Sequence, residues 1–377
     1  MPSNLRHLPD IIGFLIGLAA QWMLFRAAPV SWVKASWKRN VLFAVGAVWM
    51  GAGFLFSAPT MAKLLPYSPV WEWVRGFAIV YAILMTVYAV VRQGMVQTKW
   101  IGAKFEPTRR EALGAIVPVA FGGYGVFIEP SRMRMTETRI SVPGLAKDLD
   151  GLRIAQLTDI HYGPYFGRRD LERAVAMANE LRAKLTVVTG DFISIRQDPL
   201  DDCLALLKHL KADAGVYGCL GNHEIAADCE AYCTEAAGRI GMRILRHQQA
   251  TLKFGAAELN IAGIDYQRVR AQYLRHAEEL LRPGAANLLL SHNPDVFPVA
   301  AQQGWDVTLS GHTHGGQVDF EILGEHLNPA RFFTPYIYGT YEQAGKSVLV
   351  SRGLGTVGAP IRAGAPPEVN LIKLVTA

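Results

Sequence analysis

Five short runs of this 377-residue chain place metal-competent side chains just after apolar, strand-like segments. Leu152 to Leu157 runs into Asp159-Ile160-His161, and Leu185 to Val188 into Gly190-Asp191. Val216 to Leu220 leads to Gly221-Asn222-His223-Glu224, and Asn287 to Leu290 to Ser291-His292-Asn293. Val307 to Leu309 ends in Gly311-His312-Thr313-His314-Gly315-Gly316. Carboxylate, imidazole and amide oxygen suit manganese, iron or zinc, and no thiolate is needed. Asp159 and His161 flank one residue, so on an extended chain they point the same way, as do His312 and His314. Taken singly, such pairs are weak signals, because Gly-Asp and Asn-His are common in turns. Together they are specific: of ten histidines, five sit at these tips. The others, His7, His209, His247, His276 and His326, have no such company and read as structural or solvated. Two ions about 3.5–4 Å apart need one bridging carboxylate.

The elements that must hold these residues alternate. From about Thr136 onward, β-branched and leucine-rich runs alternate with amphipathic stretches. Leu171, Val175, Ala178 and Leu181 have helical spacing, and Leu204, Leu207 and Leu210 suggest a second helix. This alternation implies α/β architecture, with sheets covered by helices. Open sheets of that kind gather ligands beyond the carboxyl ends of their strands.

The order DxH, GD, GNHE, SHNP, GHTHGG resembles the calcineurin-like metallophosphoesterases, most of all their membrane-associated bacterial branch. Ser351-Arg352-Gly353-Leu354-Gly355, then Pro360, Arg362 and Pro367-Glu368-Val369, add to the likeness, which covers about residues 136–377. The resemblance implies a four-layer sandwich of two mixed β-sheets flanked by helices. It implies one metal ion held by Asp159, His161, Asp191 and His314, and a second by Asp191, Asn222, His292 and His312. Asp191 would be the bridge. His223 would stand beside the ions as a catalytic residue, contacting phosphate and assisting the leaving oxygen. Ser194 stands where many relatives carry a second acid. The implied reaction is phosphoester hydrolysis by hydroxide generated at the two cations, on a diester more readily than a monoester. Alternatives are cleavage of the pyrophosphate of a nucleotide-linked acylated sugar, as in a UDP-diacylglucosamine pyrophosphatase, and a non-catalytic sensor of metal or phosphate. Outside the motifs, Asp265 reads as a turn carboxylate or a support for the ligands. Arg168 and Arg169 read as a helix-start pair or an anion attractor, and Arg352 as a loop anchor or a phosphate contact.

The first 130 residues differ in composition. Four uncharged segments, 11–25, 41–62, 76–91 and 112–128, predict an all-α transmembrane region of about four helices, with basic loops and tryptophans near segment ends. The predicted division is a membrane region, 1–130, and a phosphoesterase domain, 131–377. Basic residues after the first and third segments predict a multi-pass protein of the bacterial inner membrane with its catalytic domain outside the cytoplasm. An anchored enzyme implies the membrane as a partner and a lipid- or envelope-linked substrate. Thr108-Arg109-Arg110 reads as topology charge or an internal twin-arginine signal. The net charge of +6 lies largely in this third and forms no basic run interleaved with aromatics, which argues against nucleic acid as a partner. Cys203, Cys219, Cys229 and Cys233 form no CxxC pair and read as small apolar residues.

Overall fold

Two six-stranded sheets, both mixed, carry the part of the chain that bears the motifs. The computed structural model describes residues 68–97, 120–267, 273–322 and 325–377, with isolated positions 19, 44, 46 and 48. The chain divides into two compact units, residues 1–128 with 358–361, and residues 129–357 with 362–377.

In the second unit, β1 (Arg134–Val142), β2 (Arg153–Leu157), β3 (Leu185–Thr189), β4 (Val216–Cys219) and β5 (Met242–Ile244) belong to the first sheet. The second sheet holds β6 (Gln248–Phe254), β7 (Ala257–Gly263), β8 (Ala286–Leu290) and β9 (Val307–Ser310). After a hairpin of β10 (Phe320–Ile322) and β11 (Glu325–Leu327), β12 (Gly339–Gln343) and β13 (Lys346–Val350) complete it. The last strand, β14 (Glu368–Thr376), returns to the first sheet, parallel to β1 and antiparallel to β2. β2, β3, β4 and β5 run parallel, as do β7, β8 and β9. Parallel neighbours require crossovers. α2 (Arg168–Glu180), α3 (Leu200–Leu207), α4 (Asn222–Ala226) and α5 (Glu230–Arg239) supply them in the first sheet, and α6 (Phe297–Gln303) links β8 to β9. Every motif therefore leaves a strand at its carboxyl end.

Strand periodicity builds the layers. On β2, Ile154 faces the second sheet while Ala155 and Leu157 face the outer helices. On β8, Leu288 and Leu290 face inward and Leu289 packs outward with Trp305 and Ala300. The inter-sheet core joins Leu185 and Val187 to Ile261, Leu309 and Ile372. Leu171, Val175 and Ala178 pack α2 on the first sheet, with Cys203 and Cys233 buried in the same cluster. The α/β expectation of two mixed sheets flanked by helices therefore holds.

The expectation for the N-terminal third does not. Among the described residues no helix is long and apolar enough to cross a membrane. The helix α1 (Pro69–Gln97) contains the third predicted segment. Its uncharged run, 76–91, stops short of the roughly 20 residues a bilayer core demands, and the Glu72–Arg75 ion pair precedes it. The described end of the fourth segment is a π-helical turn, Tyr124–Ile128, rather than a continuous α-helix. The first two segments lie outside the described residues except at positions 19, 44, 46 and 48, as does Thr108-Arg109-Arg110. The predicted transmembrane region is corrected accordingly. With it go the membrane partner, the inner-membrane, extracytoplasmic placement and the assignment to a membrane-anchored branch.

Candidate metal centre

Main-chain hydrogen bonds tie the loop after β2 to that after β3, and the loop after β8 to that after β9. Asp159 N donates to Gly190 O at 3.1 Å, His161 N to Asp191 O at 3.0 Å, and Gly311 N to His292 O at 3.2 Å. Glycine is needed where these loops touch. A Cβ on Gly190, whose φ is +91°, would lie 2.6 Å from Gly221 N, and one on Gly311 would overlap the Asp159 carboxylate. Asp159, His161, Asp191, His312 and His314 themselves adopt left-handed φ between 47° and 74°. Among non-glycine residues, Asp, Asn and His tolerate that region best.

The side chains converge. Asp159, His161 and His314 form one cluster, and Asp191, His292 and His312 another, with His161, Asp191 and His223 between them. His314 Nε2 is 3.2 Å from Asp159 Oδ1 and 3.0 Å from His161 Nε2. Asp191 Oδ2 lies 3.0 Å from His292 Nε2, 3.6 Å from His161 Nε2 and 4.0 Å from His223 Nε2. Asp191 thus stands between the groups. Two buried atoms here make no hydrogen bond, Asn222 Oδ1 and His292 Nε2, the latter being in charge contact with Asp191 but not aligned for a bond. Buried polar atoms are normally satisfied. An acceptor oxygen and a ring nitrogen left in this way, among carboxylates and imidazoles, fit a divalent-metal donor set.

Neighbouring groups orient the rings. His292 Nδ1 donates to Thr189 O at 2.7 Å, which turns Nε2 inward. His223 Nδ1 donates to Ser194 O at 2.6 Å, and His161 Nδ1 meets Ser194 Oγ at 2.9 Å. Ser194 therefore serves two of the histidines. Behind His314, the fully buried Arg362 donates to Gly355 O at 3.1 Å, Ala365 O at 2.8 Å and Arg352 O at 2.9 Å. Its Nη2 comes within 3.4 Å of His314 Nδ1.

Burial governs the charges. It pushes Asp159 up to about 6 and lowers His161 to about 3 and His312 to about 4, leaving both rings neutral, as ligands must be. His314 is held well below its ordinary value by burial, with His161 and Arg362 adding to the effect. His292 is the exception. Burial disfavours its charge, but the Asp191 and Asp159 carboxylates outweigh it and raise the ring to about 10. Burial acts on Asp191 too, yet His292 and His223 hold it well below the usual carboxylate range.

Glu224 has a role that its place in the GNHE run does not disclose. Fully buried, it accepts from Asp191 N at 3.0 Å, Phe192 N at 2.8 Å and Gly221 N at 2.8 Å, locking the loops after β3 and β4 together. Burial and nearby Asp191 raise it to about 7. Glu224→Gln puts an amide donor among those donors, and the expected result is a 10- to 100-fold weaker affinity for the metal ions, read by metal titration. Unchanged affinity would remove Glu224 from the positioning machinery.

Other singled-out residues lie outside the centre. Asp265 is taken by Arg246, at 3.0 Å to Nε and 2.7 Å to Nη2. Arg168 pairs with Glu172 on the surface at 3.2 Å. Arg352 stacks 3.5 Å over the Tyr338 ring, with Glu368 3.8 Å away, and so anchors its loop. Tyr266, not singled out in the sequence, lies beside the site, its ring centroid 5.2 Å from that of His312 and 6.2 Å from that of His292.

Carboxylates and imidazoles converging from two sheets around two metal positions define a hydrolase of phosphoric esters that works with a binuclear centre. Residues 152–316 match the family model for calcineurin-like phosphoesterases, so the chain carries a calcineurin-like metallophosphoesterase domain. The metallophosphoesterase YkuE of Bacillus subtilis is 29% identical over 269 residues, spanning 70% of this chain and 93% of the relative. A Danio rerio protein, described as a transmembrane protein with a metallophosphoesterase domain, is 30% identical over 281 residues. That alignment covers 71% of this chain but only 63% of the relative. The phosphodiesterase YaeI of Escherichia coli is 25% identical over 70% of this chain and 97% of its own length. The likeness therefore extends beyond bacteria.

Proposed function

We propose that the protein hydrolyses phosphodiesters, with Asp191 shared between two ions of manganese, iron or zinc. The observation that carries this is the position of Asp191 between two Asp/His groups, with Asn222 Oδ1 buried and unpaired on the adjoining loop, next in sequence to the His223 N–H that bonds Asp191. Asp159, His161, Asp191 and His314 would hold one ion, and Asp191, Asn222, His292 and His312 the other. When bound, the ions supply Lewis acidity, which makes hydroxide available near neutral pH and offsets charge on the phosphoryl oxygens. Asp191 and Asp159 supply the negative charge that retains the cations, and Glu224 and Ser194 keep the ligands in place. The similarity to YaeI, a phosphodiesterase by name, favours diesters over monoesters. A lipid- or envelope-linked diester is the substrate class we favour, and residues 131–377 are the catalytic unit.

We assign the leaving group to His223. Its Nδ1–H is engaged by the Ser194 carbonyl, which leaves Nε2 toward the site and partly open to solvent. A proton held at Nε2 can pass to the departing oxygen. The test uses the full-length chain, stripped of metal and then supplied with manganese, iron or zinc, on bis(4-nitrophenyl) phosphate and on a dialkyl phosphodiester, from which only an alkoxide can leave. His223→Ala is expected to lower kcat by about 10²- to 10⁴-fold where an alkoxide leaves, and far less where 4-nitrophenolate leaves. An equal loss on both would exclude the acid role. No metal-dependent turnover of any diester would end the phosphodiesterase reading.

A further inference from the structure

Beyond the family match at residues 152–316, a segment is fastened to the loops that carry His292, His312 and His314. Asn328 Nδ2 donates to Gly315 O at 2.9 Å, and Thr313 Oγ1 donates to Ile337 O at 2.5 Å. Thr334 Oγ1 donates to Asp295 Oδ1 at 2.5 Å. Asn328 and Thr334 are buried, and Asn328 Oδ1 also accepts from Ala330 N at 3.0 Å, capping the short turn Pro329–Phe332. The base of the segment is thus fixed by three side-chain bonds to the motif loops.

Its tip is different. Phe332 is 88% exposed and Phe333 84%, the highest values for large apolar side chains among the described residues. Arg331 beside them is exposed as well. Two adjacent phenyl rings kept in water on a tethered support mark a binding surface rather than chance exposure. Their size indicates what binds. An aromatic side chain buries about 150–250 Å², whereas a stable protein interface buries about 1,200–2,000 Å². Two rings are too little for a second copy of the chain and well matched to a single hydrocarbon chain. Because the support stands on the His292 and His312–His314 loops, the hydrocarbon would be part of the molecule whose phosphate binds there.

We infer that Phe332 and Phe333 form a subsite for the acyl or alkyl chain of an amphiphilic phosphoester. This rests on the phosphodiesterase reading and specifies its substrate class. The experiment compares methyl and dodecyl 4-nitrophenyl phosphate, below micelle concentration, using the metal-loaded full-length chain. The wild type is expected to prefer the dodecyl ester in kcat/KM. Phe332→Ser/Phe333→Ser is expected to cut that preference about 10- to 100-fold through KM, and Phe332→Leu/Phe333→Leu to keep most of it. A preference untouched by the serine variant, or lost equally in the leucine variant, overturns the subsite. So does a dimer in sedimentation that the serine variant abolishes while the preference stays, which would assign the rings to a second copy. If the wild type cleaves neither ester, the phosphodiesterase reading fails separately. Calorimetric binding of dodecyl phosphate then decides the subsite, by its loss or retention in the serine variant.

Discussion

Asp191→Asn is expected to lower metal-dependent kcat by at least about a thousandfold, roughly 4 kcal/mol of transition-state stabilisation. The residue is placed for more than one task. Its Oδ2 faces His292, His161 and His223, and its Oδ1 accepts from His223 N at 2.9 Å, joining the loop after β3 to the start of α4. An amide retains that volume and one acceptor but carries no charge to share between two cations. Elemental analysis of the variant should give fewer than two ions per chain, with a circular dichroism spectrum like that of the wild type. A variant that kept two ions and most of its rate would show that Asp191 is not the bridge.

Metal binding itself should be coupled to proton release. In the metal-free site His292 is charged up to about pH 10, because Asp191 and Asp159 outweigh the cost of burying it. An ion can use Nε2 only after that proton has left. Affinity should therefore rise with pH between about 6 and about 10, by as much as tenfold per unit for this proton. Below about 6, Asp159 also gains a proton, and affinity should fall more steeply. The sign reverses for the metal-free fold. A histidine whose folded value exceeds the ordinary 6.5 contributes stability that is complete below 6.5 and lost as pH climbs through about 10. The loaded protein should gain about 4 kcal/mol at a metal concentration near 1,000 times Kd, and a chelator should remove it. Calorimetry at pH 8 in buffers of different ionisation enthalpy would measure the proton count. Zero protons released would refute the His292–Asp191 charge pair.

What could be read from sequence was chemistry that repeats at a fixed structural address. Asp159, Asp191, Asn222, His292 and His312 each follow an apolar run, and parallel strands deliver such residues to one edge of a sheet. Glu224 escaped because it acts on main-chain N–H groups of Asp191 and Phe192, more than thirty positions back, and no spacing rule encodes that. Arg362 was noticed as part of the family likeness, but its role escaped for a similar reason: its partners are carbonyls, and carbonyls belong to every residue. Among the described residues, the N-terminal reading failed on length. A hydropathy argument counts apolar residues, and the run 76–91 is apolar yet shorter than a bilayer core demands.

The insertion of β14 between β1 and β2 also bears on how the chain is made. Asn370 on β14 bonds to Thr136 on β1 across 234 positions. At ribosomal rates of about 5–20 residues per second, β1 must wait about 10–50 s for its neighbour, with β2 open along the same side. During that time the first sheet can form only as β2 to β5, with Ile154 and the β14-facing edge of β2 unprotected. The nascent protein is therefore most exposed to aggregation, and most dependent on chaperones, just when its ligand loops have already emerged.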